Sequence, residues 1–390
     1  KEKLAKTSDG RKIFFNNGKI LKSGDLLIQK DLARTLELIA QKGPAGFYKG
    51  ITAQKIQLDM KKNDGLITTN DLSNYKAKFR TPIEFNYKDL SIVTMPLPSS
   101  GGLILALMLN MIEQLELDKS DPHKPENILK ISEVMQIAYS LRSVYMADSD
   151  FYDVPKNEFL SKDRAKQLLT NINLKRMSNA DDYDPEKFKF KENTTHYSIV
   201  DGFGNIVSTT TTLNTAFGSG IVIKDTGILM NNEMDDFSAS PSQPNYFGLL
   251  GTYANRIEPL KRPLSSMTPT IVFNNDKPYL VTGAQGGSRI ITAVLQVILN
   301  YYEFGLNAEE SVYKPRYHHQ WQPEHLMYES FDDELVDELT KMGFNLYRRP
   351  ATYDFSNGIT SSIMFEDDNL IGVSDFRSDD FLSIGVNKNE

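Results

Sequence analysis

The residues whose types and spacing carry chemistry begin at Asn193-Thr194-Thr195-His196-Tyr197-Ser198-Ile199-Val200. Thr, Tyr, Ile and Val suit a pleated, half-buried surface. Asp201-Gly202-Phe203-Gly204-Asn205 supplies a turn whose glycines can take positive φ. Ile206 to Leu213 then returns as a strand rich in β-branched residues. If Val200 pairs with Ile206, Thr194 faces Thr212, and directly opposed residues hold their Cβ atoms about 4.5–5.5 Å apart. The ordinary alternative is a Thr-rich edge hairpin with no chemistry. Were the Asn193–Thr194 bond cut, Thr194 would join a hydroxyl to its own α-amine, whose pKa is about 7.7–8.0. That amine can serve as general base for the hydroxyl, directly or through one water, and Thr212 can position it.

Such a nucleophile needs donors for a developing oxyanion. Gly286-Gly287, at a predicted strand-to-helix turn, can offer two backbone N–H groups with no Cβ in the way. A substrate with an α-amino acid end needs acceptors for its ammonium and donors for its carboxylate. Asn214, Glu233 and Asp236 fit the first role, Ser265 and Ser266 the second. Each feature has an ordinary reading too: a packing turn for Gly-Gly, a cap for Asp-Asp, a loop for Ser-Ser. His318-His319 invites a metal, but adjacent strand residues point opposite ways, so no metal is expected. His196 reads as a satisfied strand residue.

The elements that must position these residues follow from period and punctuation. The chain has 390 residues, 40% hydrophobic and 24% charged, which allows a large core. Net charge is −7 with the signs interspersed, so nothing points to nucleic acid. The absence of cysteine excludes disulfides, thiol chemistry and Cys-ligated metals, and fits either a bacterial cytoplasm or a periplasm. Lys1-Glu2-Lys3 is followed by no apolar stretch, so no signal peptide is read, and the apolar run Leu103 to Ile112 is too short to cross a bilayer. Helices are predicted over 31–40, the fifties, 103–115, 127–148, 290–302 and 332–342. Strands are predicted at 83–87, 90–95, 270–273, 279–282, 359–365 and 369–374. Pro155 to Glu192 reads as a solvated connector, and 238–252 as a mobile loop. Ser99-Ser100-Gly101-Gly102 lets a helix start approach another backbone closely or face an anion. Antiparallel pairs separated by long helices argue for a layered α+β fold.

Taken in order, Thr194-Thr195-His196-Tyr197-Ser198, Thr212-Leu213-Asn214, Asn231-Asn232-Glu233-Met234-Asp235-Asp236-Phe237, Lys261-Arg262-Pro263-Leu264-Ser265-Ser266-Met267 and Gly286-Gly287-Ser288-Arg289 strongly resemble the γ-glutamyltranspeptidases. These are N-terminal-nucleophile hydrolases. Pro96-Leu97-Pro98-Ser99-Ser100-Gly101-Gly102 and Pro315-Arg316-Tyr317-His318-His319-Gln320-Trp321 extend the likeness to nearly the whole chain. The resemblance implies a four-layer αββα sandwich of two stacked, mainly antiparallel sheets flanked by helices. It implies a precursor that cuts itself between Asn193 and Thr194. Residues 1–193 would be the C-terminal part of the large-subunit region and 194–390 the small, catalytic subunit, together one αββα domain.

The implied activity moves the γ-glutamyl group of glutathione or glutamine onto Thr194, then to water, an amino acid or a peptide, without metal or cofactor. By the same resemblance Thr194 is the nucleophile, Thr212 its partner, and Gly286 and Gly287 the oxyanion hole. Asn214, Glu233 and Asp236 hold the ammonium, and Ser265 and Ser266 the carboxylate. Tyr246 and Phe247 fall on the lid, with Phe247 where several bacterial members have tyrosine. Many bacterial members have Gln where Glu233 stands. The family's carboxylate-anchoring arginine precedes the segment that matches Lys1, and no residue here is read in its place. Relatives suggest a periplasmic or secreted location. Alternatives are a glutaryl/cephalosporin-type acylase, a poly-γ-glutamate-processing relative, and an uncleaved, inactive precursor or fragment.

Overall fold

The computed structural model describes residues 2–170, 172, 175–178, 192–240, 243–352, 355–367, 369–378 and 382–386. The chain divides into a smaller unit, residues 1–79 and 212–233, and a larger one, residues 80–211 and 234–390.

In the smaller unit, Thr7 caps α1 (Ser8–Phe14) by accepting from the Gly10 amide. A ribbon of β1 (Phe15–Asn16) and β2 (Lys19–Ile20) follows. Next come α2 (Lys30–Lys42), α3 (Ala45–Tyr48), α4 (Gly50–Lys62) and α5 (Thr69–Asn74). Thr68 and Asp71 close a capping box on α5. Leu4, Ile13, Phe14 and Val222 form the unit's own small core.

The larger unit opens with β3 (Ile83–Tyr87) and β4 (Leu90–Thr94), then α6 (Gly101–Ile112) and α7 (Pro125–Tyr145). Every residue of α6 is buried, as expected of a helix apolar on all sides. Its glycine entry is a packing device. A Cβ on Gly101 would fall 2.3 Å from Thr268 Oγ1, and one on Gly102 2.3 Å from the Met95 carbonyl. Where a solvated connector is predicted, α8 (Lys156–Leu160) and α9 (Lys162–Leu169) form instead. Phe159 and Ala165 are buried against α6, and apolar burial outweighs the surrounding charge. Of residues 171–191, all but 172 and 175–178 lie outside the described residues.

The hairpin of β5 (Glu192–Val200) and β6 (Ile206–Thr215) comes next. It is followed by β7 (Thr270–Asn274), β8 (Lys277–Thr282), β9 (Ala284–Gln285), α10 (Ile290–Ile298) and α11 (Ala308–Tyr313). The chain then forms β10 (Tyr317–His318), β11 (Leu326–Tyr328), α12 (Asp333–Lys341), β12 (Leu346–Arg348), β13 (Ile359–Glu366) and β14 (Asn369–Ser374). The main sheet runs β14-β13-β8-β7-β4-β3, antiparallel throughout, with β9 added on β13. Ile92, Val272, Leu280 and Met364 join the core of α6, α7 and α10. The hairpin is a separate two-stranded sheet, and its β5 lies alongside β9 and β13. Ser198 Oγ donates to the Ser361 carbonyl at 3.0 Å and Ser208 Oγ to the Thr282 carbonyl at 3.0 Å. Helices, main sheet and hairpin thus give the α+β layering expected of an αββα sandwich. Among the described residues, no helix is long and apolar enough to cross a membrane.

Candidate active site

The hairpin turn closes with the Asp201 N–H on the Asn205 carbonyl at 3.0 Å, which sets Val200 opposite Ile206 as the sequence predicts. Thr194 is 5% exposed and shares a strand face with His196 and Ser198, whereas Thr195, Tyr197 and Ile199 are exposed. Asn193 precedes it on β5, its side chain outside the described residues. His196 Nδ1 meets the Thr210 hydroxyl at 2.8 Å, and Nε2 the Ser198 hydroxyl at 3.3 Å. Its ring covers Gly283, where a Cβ would fall 2.1 Å from Cε1, so only glycine fits there. Burial lowers the His196 pKa to about 4. The imidazole is neutral at pH 7, both nitrogens occupied, and is a poor base for a neighbouring hydroxyl.

From β9, beside β5, the chain enters Gly286 (φ 141°) and Gly287 (φ 55°). Both φ values lie where glycine is favoured. A short turn, Gly287–Arg289, leads into α10, so these amides sit at a helix start, where N–H groups lack intrahelical partners and the dipole is positive. The Phe247 ring rests on this turn: a Cβ on Gly287 would fall 2.4 Å from two of its carbons. Instead of a mobile loop, described residues 243–249 are pinned. Asn245 Oδ1 accepts from the Phe247 and Leu249 amides at 3.0 Å each. Gln320 Nε2 donates to the Phe247 carbonyl at 3.0 Å. Gln320 Oε1 accepts from Ser288 Oγ at 2.7 Å and contacts His318 Nε2 at 2.9 Å. Tyr246 packs edge-on against Phe247, with ring centroids 5.4 Å apart. His318 and His319 are both buried, with titration pushed down by burial first, and the described residues hold no cluster of three or more metal-ligating side chains.

Ser265 and Ser266 are held from both sides. The Ser265 amide donates to the Pro98 carbonyl at 3.0 Å, and the Ser265 carbonyl accepts from the Ser100 amide (2.9 Å) and hydroxyl (2.8 Å). From α7, Arg142 Nε donates to Ser100 Oγ at 2.9 Å and Nη2 to Ser266 Oγ at 3.0 Å. Asn255 links this segment to Asp236: its Nδ2 donates to the Asp236 carbonyl at 2.7 Å, and its Oδ1 accepts from the Leu264 amide at 3.2 Å. Asn245 Nδ2 reaches Asp236 Oδ1 at 3.4 Å.

Thr212, Asn214 and Glu233 belong to the smaller unit and are described within it. Thr212 Oγ1 accepts from the Asn214 amide at 2.8 Å. Asn214 takes φ 75°, and its Nδ2 donates to the Asn232 carbonyl at 3.2 Å, turning Oδ1 the other way. The Glu233 amide donates to Asn231 Oδ1 at 3.0 Å.

Residues 1–384 match the family described as Gamma-glutamyltranspeptidase. The chain belongs to that family. It is 44% identical to the glutathione hydrolase proenzyme of Escherichia coli (strain K12) over 98% of its length, and 36% identical to that of Bacillus subtilis (strain 168) over 99%. It spans 66% of the length of either relative. The crystal structure of cephalosporin acylase from Bacillus halodurans has the same fold, with a TM-score of 0.80 at 24% identity over 95% of this chain and 65% of that one.

Within this γ-glutamyltranspeptidase chain, the larger unit holds Thr194, Asp236, Tyr246, Phe247, Ser265, Ser266, Gly286 and Gly287. Sequence reasoning missed Arg142, Asn245, Asn255 and Gln320. Only Arg142 left a trace. It falls seven, four and three residues after Met135, Ala138 and Tyr139, an inward position on a helix where a charge needs a reason.

Proposed function

We propose that this protein is a γ-glutamyltransferase and glutathione hydrolase that matures by cutting its own Asn193–Thr194 bond. The observation that carries the reading is the buried Thr194 on a strand beside the Gly286-Gly287 turn, in a γ-glutamyltranspeptidase chain. In maturation the Thr194 hydroxyl attacks the Asn193 carbonyl carbon. The C–N bond breaks, an ester replaces it, and water resolves the ester to a carboxylate at Asn193 and a free α-amine at Thr194. That amine then takes the hydroxyl proton as Oγ attacks the γ-carbonyl of a donor such as glutathione or glutamine. Amides of Gly286 and Gly287 receive the oxyanion, the leaving amine takes the proton, and γ-glutamyl stays on Oγ. Water or an amino acid or peptide amine then releases it.

Thr212 positions the nucleophile through its hydroxyl. Asn214, Glu233 and Asp236 accept the substrate ammonium, and Ser265 and Ser266 donate to its carboxylate. Phe247, with Tyr246 beside it, covers the oxyanion turn. No metal or organic cofactor takes part. The mature protein is a heterodimer of a large subunit ending at Asn193 and a small one starting at Thr194, and it works in the periplasm or outside the cell.

Incubation of the full-length protein tests this. A denaturing gel is expected to show two bands, the smaller beginning at Thr194 by N-terminal sequencing. Turnover of γ-glutamyl-p-nitroanilide should far exceed that of glutaryl-p-nitroanilide, which lacks the α-amine. Equal turnover of the glutaryl compound moves the assignment to an acylase. One uncut band that releases no nitroaniline leaves an inert precursor.

A further inference from the structure

Arg142 is 4% exposed, and its described hydrogen-bond partners are two neutral hydroxyls, those of Ser100 and Ser266. A guanidinium buried on hydroxyls alone is poorly compensated, because the energy lost with its water is repaid best by an anion. Among the described residues, Asp236 is the carboxylate whose charge acts on Arg142, and both line a cavity of about 20 Å³. That volume has room for about one water.

The hydroxyls themselves show where the charge is directed. Ser100 accepts from Arg142 and passes its own proton to the Ser265 carbonyl at 2.8 Å. Ser266 also accepts from Arg142, but its proton has no acceptor among the described residues. A hydroxyl that accepts from a cation is polarised into a stronger donor. The Ser265 hydroxyl is arranged likewise: it accepts from the Met267 amide at 3.1 Å, and its proton has no acceptor among the described residues. Two adjacent hydroxyls with uncommitted protons, one backed by a buried cation, make a site for a carboxylate.

We infer that Arg142 is a positioning residue that, through Ser266, makes the site select donors bearing an α-carboxylate. The inference rests on the γ-glutamyl reading and adds a specificity determinant to it. Arg142 touches no reacting atom. It sets the strength of Ser266 as a donor and fixes the Ser265 backbone through Ser100.

The test measures calorimetric dissociation constants of the mature full-length protein for L-glutamate and for 4-aminobutyrate, which has the amine but no α-carboxylate. Their ratio cancels the folded fraction of any preparation and needs no turnover. The unaltered protein is expected to prefer L-glutamate. Arg142→Gln should shrink that preference about tenfold or more, equivalent to about 1.4 kcal/mol, through weaker L-glutamate binding alone. Arg142→Lys should recover part of it. Should Arg142→Gln not fold, Arg142→Met serves, since an apolar replacement of a buried charge is often neutral. An unchanged ratio, equal weakening of both ligands, or no L-glutamate preference in the unaltered protein overturns the inference. Failure of γ-glutamyl-p-nitroanilide turnover, by contrast, bears on the reading beneath it.

Discussion

Thr194, His196 and Ser198 share one face of a strand, and the middle residue explains why the first is held so firmly. Because the His196 ring fills the space above Gly283, the position of Thr194 is set two residues away by packing. Gly283→Ala forces the ring or the strand to move and is expected to destabilise by about 1–3 kcal/mol. Urea denaturation checks this, and pairing it with His196→Ala should restore part of the loss, a coupling of about 0.5–3 kcal/mol. Additive effects would show that the contact is unimportant. Thr194→Ala removes the proposed nucleophile and should abolish self-cleavage and lower turnover by about 10³-fold or more. Normal cleavage in that variant would refute the assignment. At this scale residue types were legible in the sequence, since the hydroxyl, the glycines and the acidic cluster sit in recognisable order. Arg142 and Gln320 were not, because each acts on a segment distant in the chain.

At the scale of elements, the Thr-rich hairpin is no edge ribbon. It lies on the main sheet through small hydroxyl side chains that bond to opposing carbonyls, which large apolar residues could not do. A second buried polar assembly joins β10, β11, β13 and the turn after β14. Arg316 Nη1 meets Asp375 at 2.8 Å, Arg377 Nη1 meets Asp375 at 2.9 Å, and Arg377 also pairs with Glu329, all with side chains no more than 1% exposed. Burial pushes the Asp375 carboxyl up, but Arg316 and Arg377 outweigh it and hold it below its ordinary value. Asp375→Asn takes the carboxylate from the buried Arg316 and leaves Arg377 with Glu329 alone. A loss of about 3–5 kcal/mol is expected, read as a lower denaturation midpoint. A change below about 1 kcal/mol would count against the network.

For the whole molecule, titration of the histidines sets an acid limit. All five titrate below the ordinary value, with burial the leading cause: His123, His196 and His325 at about 4, His319 at about 3, and His318 well below its ordinary value. Below about pH 6.5 the unfolded chain binds protons that the folded one refuses. Stability is therefore complete above about pH 6.5 and falls as pH drops toward 4. Each group in that window contributes up to about 1.4 kcal/mol per pH unit. Glu133 and Asp59, pushed up by burial, act in the opposite sense, but they are outnumbered. The melting temperature should drop steadily from pH 7 to 5, and His196→Gln should lessen the slope. A flat profile would contradict the buried, neutral imidazoles.

What the sequence determined by itself was periodicity and order: an apolar helix, read over 103–115 and found over 101–112, the hairpin, the alternating strands, and motifs sufficient to point to the family. These are local, since period and turn residues act within a few positions. Tertiary structure decided the rest. It folded α8 and α9 from a stretch that reads as solvated, because Phe159 and Ala165 find α6. It pinned Phe247 on the Gly287 turn through Gln320, and it brought Arg142 to Ser266 across 124 positions of chain. Burial and long-range hydrogen bonding depend on what arrives opposite, and no local pattern carries that information.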